Sequence, residues 1–108
     1  MPHYLVQVAY TAEAWKNLVS NPQDRTAAVK GAIEKLGGSM GDFWMTFGEY
    51  DLIGILHMPD NVSAAAFAIA VSAGGAVKAI KTTPLLSIGE GVEAMKKAGA
   101  AGYRPPGS

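Results

Sequence analysis

Apolar and polar residues alternate from the start of the chain. In HYLVQVAY, 3–10, Tyr4, Val6, Val8 and Tyr10 fall on one side, and His3, Leu5, Gln7 and Ala9 on the other, which predicts a strand. Thr11 can cap a first helical piece carrying Ala14, Trp15 and Leu18, which stops at Asn21-Pro22. Asp24 caps a second piece, with Ala28, Ile33 and Leu36 as its stripe and Gly37-Gly38 as its end. The stretch FWMTFGEYDLIGILH, 43–57, predicts two strands joined at Gly48-Glu49, because a two-residue loop with Gly first suits a type II′ turn. Pro59-Asp60-Asn61 breaks out of it. Asn61 or Ser63 then caps a helix through Ala64, Phe67, Ala68 and Val71, closed by Gly74-Gly75. A last core strand is expected over about 76–83, with Pro84 ending it or allowing an edge continuation through Leu85, Leu86 and Ser87. Glu90 to Ala98 predicts a short helix, and GYRPPGS a loose tail.

That order, with a right-handed crossover in each half, predicts a ferredoxin-like α+β fold, βαββαβ. Its four-stranded antiparallel sheet runs 4-1-3-2 with the helices on one face. The expected organisation is one domain over 1–98 and a flexible tail over 99–108. Within the hairpin, Phe47 should face Tyr50, Met45 Leu52, Phe43 Gly54 and Gly41 Leu56, on the core side, with Gly54 admitting a helix closely. The opposite side carries Thr46 with Asp51, Trp44 with Ile53, Asp42 with Ile55 and, further along, His57. Uncovered by helices, that sheet face holds Leu5, Ala9, Trp44, Ile53 and Ile55, an apolar patch of the kind that forms interfaces. Pairing two such faces about a two-fold axis gives a homodimer or a higher homo-oligomer.

Composition narrows the partners. The nine basic and nine acidic residues of this 108-residue chain cancel, so nothing points to an electrostatic hold on nucleic acid or an anionic membrane. The absence of cysteine removes disulfides, thiolate metal sites and cysteine nucleophiles, and fits a cytoplasmic protein. The first residues lack the basic-then-apolar pattern of a signal peptide. Residues 61–77 are uncharged, yet rich in Ala, Ser and Gly and short of the roughly 20 strongly apolar residues of a membrane span. They read as a buried helix.

FWMTFGEYD, the Tyr10-Thr11 pair after the first strand, the Ala-rich helix and the closing Lys81-Thr82-Thr83 together resemble the GYD domain family, over about residues 2–90. The residues that name the family match Gly48, Tyr50 and Asp51. The resemblance implies a dimeric α/β-barrel protein, with dimers formed by sheet-on-sheet packing. It names a fold and no substrate. Related barrels include cofactor-free monooxygenases, isomerases and haem-handling enzymes.

Asp51 and Tyr50 are the candidate catalytic residues. A carboxylate on a sheet face that becomes an interface can act as a general base or orient a ligand. The structural alternative is an Asp near the turn that accepts bonds from loop amides or Thr46. Trp44, Thr46, Tyr10, His57 and His3 are the candidate ligand-binding residues. The phenols of Tyr4, Tyr10 and Tyr50 could donate to a ligand oxygen or simply fill the core, and Trp15 and Trp44 could stack on a planar molecule or pack in a core or interface. His3 and His57 come together at the sheet end opposite the turn, on one face if odd positions pair with odd. Two histidines without cysteine and without a short helical spacing predict no metal site, and no cofactor is expected. Neither the glycine pairs nor GEGVE, at 89–93, matches a phosphate-binding loop. Three functions follow: a homo-oligomer binding a small apolar or aromatic molecule beside the sheet; a cofactor-independent monooxygenase or isomerase using Asp51 or a histidine as base; and an assembly module without a ligand.

Overall fold

The computed structural model describes residues 1–107. Its elements are β1 (His3–Tyr10), α1 (Ala12–Ser20), α2 (Thr26–Lys35), β2 (Ser39–Met45), β3 (Leu52–His57), α3 (Asn61–Ala73), β4 (Val77–Leu85) and α4 (Ile88–Ala100). The strands form an antiparallel sheet in the order β2-β3-β1-β4, the predicted ferredoxin-like arrangement. Alternation along β1 decides what is buried. Tyr4, Val6 and Val8 join Leu56 and Met58, Ile33 of α2, and Ala64 and Phe67 of α3 in one core.

The helix ends follow their local chemistry. Thr11 Oγ1 accepts from Ala14 N at 3.1 Å and starts α1. Asp24 Oδ1 accepts from Thr26 N at 2.8 Å, so it serves α2 from one residue outside the cap position, which Arg25 holds. The cap of α3 is Asp60, not Asn61 or Ser63: its Oδ1 takes the Ser63 amide at 2.8 Å. That frees Asn61, whose Oδ1 accepts from the Tyr4 hydroxyl at 2.6 Å and fixes the helix start to β1. β4 continues through Pro84, which pairs with Tyr4 on the sheet edge, where a missing N–H costs least. α4 is longer than expected. Ser87 and Glu90 form a reciprocal capping box that starts it before Glu90.

The hairpin keeps its expected register at Phe43–Gly54, Trp44–Ile53 and Met45–Leu52, then departs from it at both ends. Toward the start of β2, Met40 rather than Gly41 lies opposite Leu56, because Gly41 and Asp42 bulge against a single residue of β3. A side chain at Gly41 would run into the Ile55 carbonyl, so the bulge selects glycine. At the tip, Thr46 N donates to Asp51 O at 2.9 Å and the residues between them form a four-residue loop instead of a two-residue turn. Gly48 has φ 138° there. Phe47, expected on the core side, is fully exposed, since the tip runs past the helices; Met45 is largely exposed for the same reason. Gly54 admits no helix. The Phe43 ring lies over it and occupies the space of a Cβ.

Candidate functional site

The broken helical segment leaves a gap. Between the helix-facing side of the sheet and α1, α2 and α3 lies a cavity of about 430 Å³. Val6, Val8, Phe43 and Leu52 form its floor, and Phe67 and Val71 of α3 one wall. Its polar lining comes from the other side, where Asn17, Gln23, Arg25 and Tyr10 border it around the α1–α2 connection. Tyr10 stands edge-on to Trp15, with ring centroids 5.3 Å apart. Burial pushes the Tyr10 phenol above its ordinary value; the Arg25 charge works against that, and the Asp51 carboxylate adds to it. The hydroxyl is therefore a neutral donor throughout the physiological range.

Of the residues singled out from the sequence, Tyr10 lines this cavity. Asp51 sits behind it as a brace: its Oδ2 accepts from Tyr10 N at 2.9 Å and Trp15 Nε1 at 3.3 Å, while its own amide donates to Val8 O at 2.8 Å. Thr46 does not reach the Asp51 carboxylate; its hydroxyl donates to the Tyr50 carbonyl at 2.7 Å and closes the hairpin loop. Tyr50 is half-buried, and Trp44 lies on the open sheet face, 57% exposed. His3 pairs directly with His57, rings 4.2 Å apart and edge-on, so odd does pair with odd. His3 borders a separate open groove of about 800 Å³ between the first residues, β4 and the start of α4. Among the described residues no group of three or more His, Asp or Glu is placed to hold a metal.

Arg25, Asn17 and Gln23 were not anticipated as site residues. The signal was the Asn21-Pro22 break: it divides the crossover helix and turns polar residues toward a sheet face that a continuous helix would have covered.

Comparison with known proteins bears on this geometry. A family profile described as GYD domain matches residues 4–98. The chain belongs to the GYD domain family. The match runs past β4 and through most of α4, so that helix is part of the GYD domain. No curated protein matches. Among solved structures, the GYD domain is similar to FFRP-DM1, with 14% identity over 80% of this chain and 100% of that one and a TM-score of 0.50. MtbAldR shares 15% identity over 80% of this chain at a TM-score of 0.56, and the GYD domain spans 52% of its length. TTHA0845 from Thermus thermophilus is 17% identical over 81% of this chain and 95% of that one, with a TM-score of 0.47. At these identities the likeness is one of fold. No helix among the described residues is long and apolar enough to cross a membrane.

Proposed function

We propose that this GYD domain is a homo-oligomeric binding protein that holds one small, largely apolar molecule, with an oxygen-bearing or anionic end, in the cavity between the sheet and α1–α3. The observation that carries this reading is the division of the lining: aliphatic and aromatic side chains from sheet and α3, polar groups from the α1–α2 side. A volume of about 430 Å³ lies within the usual range for small-ligand sites, roughly 300–1,000 Å³. Tyr10 supplies a neutral hydroxyl and Arg25 a fixed positive charge. The homo-oligomer rests on the open sheet face, where Trp44 is exposed beside half-buried Leu5, Ile53 and Ile55.

Titration with 8-anilinonaphthalene-1-sulfonate, an aromatic anion, tests the cavity. The parent protein should bind it saturably at one site per chain. Ala28→Phe, which brings a ring to the cavity wall from an exposed position, and Arg25→Gln should each weaken binding at least tenfold. Equal binding by both variants places the dye on exposed apolar surface and overturns the reading.

A further inference from the structure

Unpaired donors border the cavity on its polar side. Tyr4 and Tyr10 both turn toward the helices, Tyr4 into the core and Tyr10 into the cavity. One phenol is satisfied within the chain: the Tyr4 hydroxyl donates to Asn61 Oδ1 at 2.6 Å. The half-buried Tyr10 hydroxyl has no acceptor among the described residues. Arg25 is the one charged residue in the lining, and no carboxylate among the described residues pairs with it. Its charge is nonetheless close enough to act on the Tyr10 phenol. Asn17 borders the same side with its side-chain amide unbonded within the chain, while Gln23 spends Nε2 on the Asn21 carbonyl at 3.4 Å. The neighbouring carboxylates are engaged elsewhere. Asp51, behind Tyr10, takes the Tyr10 amide and the Trp15 indole, and Asp24, next to Arg25 in the chain, takes the Thr26 amide and hydroxyl at 2.8 and 2.6 Å.

This side of the cavity therefore offers hydrogen-bond donors and one positive charge, and no negative group to receive a cation. We infer that the ligand is a monocarboxylate, with its tail against Phe43, Phe67 and the aliphatic floor and its carboxylate on the Arg25 guanidinium and the Tyr10 hydroxyl. The inference rests on the cavity being a ligand site, as proposed above, and names the class of molecule that it takes. A guanidinium matches a carboxylate in one plane through two parallel N–H bonds. The neutral Tyr10 hydroxyl adds a third donor without a competing charge. One arginine balances one negative charge. A phosphate monoester carries nearly two, and the Asp24 carboxylate beside Arg25 opposes the excess. An alcohol leaves the guanidinium without a counter-charge, and an amine sets two cations together. Asn17, Gln23 and Arg25 are exposed, so a carboxylate among them keeps part of its water while the tail alone is desolvated.

Matched ligands separate the head group from the tail. 3-Phenylpropanoate, 3-phenylpropan-1-ol and 3-phenylpropylamine share one tail; octanoate, octan-1-ol and octylamine share another. In calorimetric titration at neutral pH, at least one of the acids should bind saturably, one per chain, about tenfold tighter than its alcohol, with the amine weakest. That acid should also displace 8-anilinonaphthalene-1-sulfonate from the cavity. Arg25→Gln should bring the acid down to the affinity of its alcohol and leave the alcohol itself unchanged. Tyr10→Phe should weaken the acid and keep its preference over the amine. An alcohol or amine that binds as tightly as its acid overturns the carboxylate assignment, and so does an acid whose affinity survives Arg25→Gln. So, too, does failure of both acids to displace the dye from a protein that holds it in the cavity. In each of these cases the cavity itself stands as a binding site. A protein that fails the dye test loses both readings.

Discussion

One carboxylate ties three elements together. Asp51 takes the Tyr10 amide and the Trp15 indole on the same oxygen while its own amide bonds Val8, joining the end of β1, the start of β3 and α1. Removing it in Asp51→Ala leaves two half-buried donors unpaired and should lower stability by about 2 kcal/mol in urea unfolding. Asp51→Asn, which keeps an acceptor, should cost about half that. Trp15 emission should shift to the red in the alanine variant alone; an unshifted spectrum there argues against the brace. Period-two alternation was enough to place Asp51 on a sheet face near the turn and to suggest an anchoring role. It could not supply Trp15, because that partner lies 36 residues away on a helix whose approach depends on packing. Thr82 poses the opposite problem. Its Oγ1 is buried without a partner among the described residues, on the helix side of β4, where strand alternation aligns it with Val6. Thr82→Val keeps the shape and removes the unsatisfied group, so the unfolding free energy should rise by about 1 kcal/mol.

Elements came through where a local rule governs them. β1 and its partners, the Gly37-Gly38 stop and the Thr11 cap all follow from short-range chemistry, and so does the Phe43–Gly54 register. The misplacements have physical causes. Two residues at 41 and 42 opposite one in β3 break the alternation on which register counting depends. The Phe47–Tyr50 loop is longer than its Gly-first signal suggests: Thr46 closes it through its amide to the Asp51 carbonyl and its hydroxyl to the Tyr50 carbonyl, so Phe47 and Tyr50 fall within the loop instead of pairing. For α4, Ser87-x-x-Glu90 is the start signal that an expected start at Glu90 overlooked. That cap makes α4 sensitive to pH. Bonding to the Ser87 amide, with His3 contributing, holds the Glu90 carboxyl below its ordinary value of 4.5. A group whose folded value is depressed stabilises the fold fully above its unfolded value and loses that contribution as pH falls through the folded one. Chemical shifts of the first turn of α4 should therefore move toward coil as pH drops from about 5 to about 3. The same titration in Glu90→Gln should show no such transition in these residues.

At the scale of the molecule, patterning forecast an open apolar sheet face, and Trp44, Leu5, Ile53 and Ile55 do lie there. It forecast a cavity beside the sheet but not its place between the sheet and α1–α3, since the space between layers depends on how far α1 and α2 stand from the sheet, a distance that no single element encodes. Under the proposed assembly, Trp44→Asp sets a charge on that face and should weaken association by roughly 2 kcal/mol. Light scattering over a dilution series should show the variant dissociating at concentrations where the parent stays assembled; coincident curves would clear the face of that role.

The two sheet margins bear on how such a protein avoids harm. β2 is kinked by its bulge at Gly41 and Asp42, and β4 carries Pro84 and a register shift near Val77. Neither presents the long, flat, evenly spaced row of amides and carbonyls that an incoming strand needs. With growth along the margins blocked, copies of the chain are steered away from extending the sheet into a fibril, even when the protein is crowded.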